Sequence, residues 1–288
     1  MIRNTFFFGL IILAVCTLGS CNVSTTAQSD ITDSTRIVST NGTLSEILVA
    51  LGFENNLVGV DVASTYPASL QQKPKIGHNR KISAEGVLAL NTDLAIGITG
   101  MVKPEVAEQI RAAGTRLLLF DHQYSVDGAK QLIRAVADSL GQSAKGDSIL
   151  SALDVDLALA DSIVARSENK PKVLFIYARG TGTMMVAGQR TQLDEMISLA
   201  GGENAVSGFE DFKPLTAESL VAANPDVILL FDSGLSSLGG IDGLLEVQGI
   251  SQTNAGKNRN IVEMDGQLLT GFGPRLGEAI LELTEEIH

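Results

Sequence analysis

A single histidine stands in a short loop that could hold a metal or a metallocofactor. His78 follows Gly77 and precedes two basic residues and Ser83, which can cap a helix. The chain contains three histidines, and one of them, His288, is its last residue. Imidazole is a common ligand of transition metals. If such a metal is bound through imidazole, His78 and His122 are the main candidate ligands. The alternative is that His78 is an ordinary solvated loop residue.

The composition favours an aliphatic α/β protein. Of the 288 residues, 44% are hydrophobic and only 5% are aromatic, with no Trp. The core must therefore be aliphatic, which suits buried parallel strands, and the length allows two domains of ordinary size. The formal net charge of -12 argues against binding to nucleic acid or to an anionic membrane surface. Both cysteines, Cys16 and Cys21, fall in the first stretch of the chain, which leaves no disulfide framework.

The first residues have the pattern of a targeting segment. Arg3 precedes an apolar run, residues 6–18, that is too short for an ordinary membrane span. The run ends in Gly19-Ser20-Cys21, which resembles the lipobox of a bacterial lipoprotein. The resemblance implies that residues 1–20 are a signal peptide, that Cys21 carries a lipid on its sulfur, and that residues 21–35 are a flexible tether. A plain secretory signal is the alternative.

Strands alternate with helices over residues 36–141 and again over residues 171–288, which predicts two α/β lobes with mostly parallel sheets. Residues 147–168 contain no Gly or Pro and carry apolar residues at helical spacing. A helix of this length is a rod of roughly 33 Å, so we expect residues 142–170 to form a rigid connector between the lobes. A helix packed on one lobe only is the alternative. The predicted strands are residues 36–39, 57–60, 93–98, 116–120, 172–177, 227–231 and 260–264.

The second half of the chain repeats the first. Residues 82–93 align without gaps to residues 215–226, and five of the twelve pairs are identical. Two related α/β lobes enclose a cleft, and ligands of open α/β sheets bind beyond the carboxyl ends of the strands. In this alignment the loop with His78 corresponds to Asp211-Phe212-Lys213. We therefore expect both segments to face the cleft from opposite sides.

These features resemble the substrate-binding proteins of ABC importers that handle cobalamin, ferric siderophores and haem, and within that class the haem-binding subgroup. The resemblance covers residues 36–288. It is carried by the runs Ser64-Thr65-Tyr66-Pro67-Ala68, Ile76-Gly77-His78-Asn79-Arg80, Ser83-Ala84-Glu85-Gly86-Val87-Leu88, Ala187-Gly188, Leu199-Ala200-Gly201-Gly202, Gly208-Phe209-Glu210, Lys213-Pro214-Leu215 and Gly271-Phe272-Gly273-Pro274-Arg275.

The resemblance implies two Rossmann-like lobes with mostly parallel sheets, joined by a long rigid α-helix. It implies a binding protein rather than an enzyme, which captures haem b (iron protoporphyrin IX) in the cleft and delivers it to a membrane permease. It implies a monomer that is anchored by a lipid on Cys21 to the periplasmic side of a bacterial membrane. The implied protein partners are the permease and its ATPase subunits. A ferric siderophore or cobalamin is the alternative ligand. An enzyme is the rival class, but no Gly-rich phosphate loop, Gly-x-Ser-x-Gly or His-Glu-x-x-His motif occurs.

The resemblance also assigns candidate site residues. The position of His78 is commonly Tyr in this subgroup, where its phenolate ligates ferric haem iron; imidazole is also a good axial ligand. His122 is the competitor, although it matches no ligand position of the subgroup. Cations that could pair with the haem propionates lie on loops expected to face the cleft, and two tyrosines could pack on the ring. These residues are Arg80, Arg179, Lys213, Arg275, Tyr66 and Tyr177. Surface charge or structural packing is the alternative for each.

Two glutamates are candidates for docking to the permease. Glu46 and Glu195 lie on the first predicted helix of each lobe, at equivalent positions of the repeat. Thr43 and Glu46 also fit a capping box at the start of their helix. In relatives such glutamates meet arginines of the permease, so the resemblance implies the same role here. Two solvated helix carboxylates are the alternative.

Overall fold

The computed structural model describes residue 1 and residues 31–288. The predicted signal peptide from residue 2 onward, most of the predicted tether and the predicted lipid attachment at Cys21 lie outside the described residues. Within residues 31–288, no helix combines the length and the apolar character that a membrane span requires.

The described part of the chain begins with a lobe built on a four-stranded parallel sheet. Its strands are β1 (Ile37–Ser39), β2 (Leu57–Val60), β3 (Leu94–Ile98) and β4 (Arg116–Phe120), in the spatial order β2-β1-β3-β4. Its helices are α1 (Gly42–Ala50), α2 (Ala84–Leu88), α3 (Pro104–Ala112) and α4 (Val126–Ser139). Strands β1 and β3 are fully buried, because helices cover both faces of a parallel sheet.

The long helix predicted to connect the lobes is α5 (Ser143–Val164). The sequence predicts residues 147–168, whereas the helix begins and ends about one turn earlier. Gly141 explains the early start, because its φ of 69° ends α4 and turns the chain directly into α5.

The second lobe carries, within the described residues, a six-stranded mixed sheet. Its strands are β5 (Lys172–Ala178), β6 (Met184–Ala187), β7 (Glu203–Asn204), β8 (Phe212–Pro214), β9 (Val227–Phe231) and β10 (Ile261–Met264). The order is β10-β9-β5-β6-β8, with β7 beside β5; β6 runs antiparallel to β5 and to β8. Its helices are α6 (Gln192–Leu199), α7 (Ala217–Ala223), α8 (Asp232–Ser237), α9 (Gly240–Leu245), α10 (Asn254–Asn258), α11 (Gly266–Gly271) and α12 (Leu276–Ile287).

One hydrophobic core is continuous between the two sheets. It includes Ile37 in the first sheet, Leu153 on α5, Phe175 in the second sheet and Leu276 on α12. Helix α5 packs against α4 of the first lobe and along α12 of the second, so it does not belong to one lobe only. Separate smaller cores cover the other face of each sheet. A densely packed core shared by both lobes resists large changes in their relative orientation.

The capping box predicted at the start of α1 does not form. Asn41 caps the helix instead, since its Oδ1 accepts hydrogen bonds from the backbone N–H groups of Thr43 (2.9 Å) and Leu44 (3.3 Å). The Thr43 hydroxyl donates to the carbonyl oxygen of Gly271 at 2.6 Å. Thr43 and Glu46, which the pattern assigns to a local cap, thus form hydrogen bonds with residues near the C-terminus instead.

The two segments of the predicted repeat adopt the same local structure. Ser83 caps α2 by accepting a hydrogen bond from the N–H of Gly86 at 3.1 Å, and Thr216 caps α7 by accepting one from Ser219 at 3.2 Å. Each helix leads into a central strand of its sheet, β3 or β9. The predicted class, two α/β lobes with parallel and mostly parallel sheets, is confirmed.

Candidate functional site

A cavity of about 920 Å³ lies between the lobes. Its walls are built from residues at the carboxyl ends of the strands, where open α/β sheets bind ligands. The wall of the first lobe includes Asn41 after β1, Val62 and Thr65 after β2, Met101 after β3 and His122 after β4. The wall of the second lobe includes Tyr177 and Arg179 at the end of β5, Asp232 after β9 and Gln267 after β10.

His78 lines this cavity from the first lobe. Gly77 has a φ of 110°, a conformation that favours glycine, and it turns the chain so that His78 precedes the short 3₁₀ turn Asn79–Lys81. The exposed imidazole accepts at Nδ1 a long hydrogen bond of 3.4 Å from the backbone N–H of Arg80. A neutral ring that accepts at Nδ1 carries its proton on Nε2. Binding of a metal through Nε2 therefore requires the proton to move to Nδ1 and this weak contact to break.

Tyr177 and Arg179 line the cavity from the opposite wall. Tyr177 is paired with Met185 in the antiparallel ladder between β5 and β6, and Arg179 follows at the next position on the same face. The guanidinium carbon of Arg179 lies 5.8 Å from the centre of the Tyr177 ring. A phenol and a guanidinium thus stand together across the cleft from His78. Phenolate oxygen is a ligand of haem iron, and guanidinium pairs with carboxylates.

His122 also lines the cavity, but one of its ring nitrogens is already engaged. Its Nε2 lies 3.3 Å from the carbonyl oxygen of Phe272, and its ring meets the Tyr124 ring edge-on at 5.1 Å between centroids. Burial lowers the pKa of His122 below its usual value of 6.5, and the hydrogen bond to Phe272 offsets part of that effect. The ring is therefore neutral at pH 7, with Nε2 as the donor. Its Nδ1 has no hydrogen-bond partner among the described residues.

Several predicted site residues do not line the cavity within the described part of the chain: Arg80, Tyr66, Lys213 and Arg275. Arg80 is exposed beside His78. Lys213 lies in the edge strand β8, paired with Val186, and its Nζ is 4.5 Å from the centre of the Phe209 ring. Because β8 ties this segment into the edge of the sheet, a role of Lys213 opposite His78 in the cleft stays a prediction.

Arg275 and Glu46 form a buried ion pair with each other. The Arg275 Nη2 lies 2.6 Å from Glu46 Oε1 and the Nε 3.2 Å from Oε2, and the side chains are only 14% and 6% exposed. The guanidinium also stacks on the Tyr66 ring, 3.6 Å from its centre. Burial raises the pKa of Glu46, and the hydrogen bond and charge of Arg275 offset part of that rise. The docking role predicted for Glu46 needs an exposed carboxylate, whereas this carboxylate is buried and paired with Arg275.

The repeat contains a pair of glutamates that is better exposed than Glu46 and Glu195. Glu195 is half-buried on α6 and lines a smaller groove of about 290 Å³. Glu85 and Glu218 are both exposed, each in the first turn of its helix, α2 or α7. The alignment of residues 82–93 with 215–226 pairs Glu85 with Glu218 directly. That alignment is the sequence signal that singles them out.

Solved structures similar to this one include several haem-binding proteins. The periplasmic haem-binding protein RhuT from Roseiflexus sp. RS-1 is 44% identical, with a TM-score of 0.83 over 88% of this chain and 98% of that one. BhuT, solved in complex with two haems, is 38% identical, with a TM-score of 0.82 over 88% and 97%. HmuT, a haem-binding protein, is 34% identical, with a TM-score of 0.77 over 88% and 85%.

HmuT has also been solved as variants in which a histidine, a tyrosine or an arginine is replaced by alanine. The three replaced positions have the same separations along the HmuT chain as His78, Tyr177 and Arg179 have here. From the sequence, Tyr177 is predicted only as a ring-packing residue. The Tyr-x-Arg spacing at the end of a predicted strand is the signal that points to these two side chains together.

Curated relatives are more distant. The ABC transporter substrate-binding lipoprotein YvrC of Bacillus subtilis is 26% identical over 88% of this chain and 80% of its own length. A cobalamin-binding protein of Halobacterium salinarum is 23% identical over 93% and 73%. The family model described as periplasmic binding protein matches residues 37–268, which is most of the chain. With this match and a cleft between two α/β lobes, the chain belongs to the periplasmic binding protein family.

Proposed function

We propose that this protein is the substrate-binding component of an ABC importer and that it captures haem in the cleft between its lobes. The observation that carries the proposal is the arrangement of His78 on one wall and of Tyr177 with Arg179 on the other wall of one cavity. The haem-binding names of RhuT, BhuT and HmuT support haem as the cargo. The name of YvrC supports the role in an ABC importer.

The side chains suit haem chemically. The His78 imidazole and the Tyr177 phenolate are both axial ligands that iron accepts, and they approach from opposite lobes. Arg179 stands beside Tyr177, where its guanidinium can pair with a propionate or with the phenolate oxygen. Val62, Met101 and Phe231 add apolar surface for the porphyrin. Arg80, two residues after His78, is an exposed cation that can pair with a propionate.

A haemin titration of the purified protein, followed by absorbance, tests the proposal. We expect a saturable Soret shift, and little change of that shift in the variant His122→Ala, whose Nε2 already serves Phe272. Cobalamin absorbs visible light as well, so a parallel titration distinguishes it, and a ferric siderophore completes the comparison. Saturable binding of cobalamin or of a siderophore, with none of haemin, would replace the proposal by the alternative cargo.

We also propose that the protein is held at the periplasmic side of a bacterial membrane by a lipid on Cys21. The lipobox pattern and the lipoprotein name of YvrC support this. The variant Cys21→Ser should leave the protein in the soluble fraction of the cell envelope, whereas the wild-type protein should sediment with membranes. Equal distribution of the two proteins would contradict the lipid anchor.

For docking to the permease we propose Glu85 and Glu218 as the equivalent contacts of the two lobes, with Glu195 as a further candidate. All are acidic, and the first two are exposed at matching places of the repeat. Reversal of either charge to Lys should weaken haem uptake by cells and leave the haemin titration unchanged, because a largely electrostatic contact would become repulsive. The matched control is Glu105→Lys, in the first turn of α3. Normal uptake by both Glu85→Lys and Glu218→Lys would contradict these contacts.

A further inference from the structure

The segment of residues 266–275 crosses from the second lobe to the first and binds it at several points. The carbonyl oxygen of Gly271 accepts from Thr43 of α1, and that of Phe272 lies next to His122 after β4. Gln267 and Arg275 reach further, to α1 and to the loop after β2. The same segment lines the floor of the cavity through Gly266, Gln267, Thr270 and Gly271.

Gln267 uses both ends of its amide on the first lobe. Its Oε1 accepts hydrogen bonds from the backbone N–H (2.7 Å) and hydroxyl (2.7 Å) of Thr65 and from the N–H of Tyr66 (3.0 Å). Its Nε2 donates to Glu46 Oε1 at 2.6 Å and to the carbonyl oxygen of Gly42 at 3.1 Å. The orientation of the amide is fixed by these partners, because Thr65 and Tyr66 offer backbone donors and Gly42 offers only an acceptor.

Arg275 completes this contact from the start of α12. It pairs with both oxygens of Glu46, and its guanidinium covers the ring of Tyr66 as a cation on an aromatic face. Both charged groups are largely shielded from solvent. Removing one of them would leave the other buried without a partner, which costs free energy. Tyr66 and Thr65 end the loop whose residues Val62, Ala63 and Thr65 line the cavity. The position of this wall therefore depends on the second lobe.

We infer that Glu46, Gln267 and Arg275, with Tyr66 beneath the guanidinium, form an inter-lobe clamp that sets the width of the cleft and slows the release of its ligand. The inference rests on the proposed function for the identity of that ligand. Glu46, Arg275 and Tyr66 do not line the cavity, so they act as positioning residues, and Gln267 joins them to its wall. Opening the cleft requires the buried ion pair to separate, so a partner that releases the ligand must first break the clamp.

The rate of haem transfer from the loaded protein to an excess of apomyoglobin tests the clamp. The variants Glu46→Gln and Arg275→Gln should each release haem faster, by roughly tenfold, the equivalent of about 1.4 kcal/mol. Their Soret spectra should match the wild type, because no iron ligand is altered. The double variant should release haem no faster than the faster single variant, since both changes remove one shared interaction. The control is Arg190→Gln, which removes the exposed ion pair to Glu210 within the second lobe.

Release rates equal to the wild type in both single variants would overturn the clamp, as would additive effects in the double variant. A second measurement tests the clamp without a ligand and does not depend on the correct folding of the charge variants. In the ligand-free protein, Gln267→Ala should speed hydrogen exchange at the amides of Thr65 and Tyr66, whose acceptor it removes. Unchanged exchange there would contradict the clamp, whereas failure of the wild type to bind haemin would contradict only the proposed cargo.

Discussion

The two lobes repeat one unit, yet they present different kinds of wall to the cleft. In the first lobe, the residues before α2 form a loop with Gly77 and His78, followed by a 3₁₀ turn. In the second lobe, the residues before α7 form β8, which is paired with β6. Tyr177 and Arg179, which line the cleft from the second lobe, come instead from the end of β5.

The two lobes therefore share the helix and its cap but not the element that carries the site. In the second lobe, antiparallel pairing with β6 makes the matching segment a sheet edge. Tyr177 is consequently held by a strand ladder, and His78 is exposed on a loop with one long hydrogen bond. We expect the wall with Tyr177 to be fixed and the imidazole of His78 to turn when iron binds.

The largest expected effect lies where the lobes meet. Arg275→Gln leaves Glu46 buried without its cation, which should lower the free energy of unfolding at pH 8 by about 3 kcal/mol. Burial already raises the pKa of Glu46, and the nearby charges Asp265 and Glu278 raise it too, against the lowering effect of Arg275. Without Arg275 the pKa rises further, so the variant loses stability as the pH increases through that pKa. Urea unfolding should therefore show a smaller loss at pH 5 than at pH 8.

The control for this prediction is the double variant Glu46→Gln with Arg275→Gln, which has no buried carboxylate at this place. Its loss of stability should be nearly the same at both pH values. An equal loss at pH 5 and pH 8 in the single variant Arg275→Gln would show that Glu46 is not the group that titrates.

The next largest effect is on haemin affinity, and it distinguishes His78 from His122 as the iron ligand. His78→Ala should weaken haemin binding by about 100-fold, or roughly 2.7 kcal/mol, because it removes an iron ligand. His122→Ala should change the affinity little, since its Nε2 is bonded to the carbonyl oxygen of Phe272. The measurement is a pair of absorbance titrations under one set of conditions. A reversed order of the two variants would assign the ligand to His122, after β4, rather than to His78.

A smaller effect compares the two copies of the repeat directly. Ser83→Ala and Thr216→Ala remove equivalent helix caps, and each should cost about 1 kcal/mol of stability in urea unfolding. Only Ser83→Ala should also weaken haemin binding, because Ser83 closes the loop that carries His78. Equal effects of both variants on haemin binding would contradict the difference between the two walls.

The smallest effect concerns the overall shape. The hydrophobic core is continuous from the first sheet through α5 and α12 to the second, so haem should cause only a small rotation of the lobes. X-ray scattering curves with and without haemin should nearly superpose. A large compaction on binding would mean that the shared core opens.

Local patterns of sequence predict the regular elements well. The apolar runs of β2, β4 and β9 appear in the structure at their predicted bounds, and the caps of α2 and α7 follow from Ser83 and Thr216. The strands β6 and β8 escape prediction, although they are as long as the predicted strands β2 and β1. Their partners, rather than their composition, make them strands.

The contacts of the candidate site are harder to predict, because they join distant parts of the chain. Glu46 and Arg275 are 229 positions apart, and a helix pattern assigns Glu46 to a cap or to the surface. Burial and pairing across the lobes decide its role instead. Tyr177 is predicted only to pack on the ring and not to ligate iron, because it stands in a run of strand residues, whereas His78 is conspicuous on its loop.

We expect each lobe to supply one ligand to the same iron, His78 from a loop and Tyr177 from a strand. Resonance Raman spectra of the ferric haem complexes test it most directly, because a phenolate bound to iron has characteristic ring vibrations. We expect these bands in the wild type and, at saturating haemin, in His78→Ala, and we expect none in Tyr177→Phe. Bands that persist in Tyr177→Phe, or that are missing from the wild type, would contradict the claim.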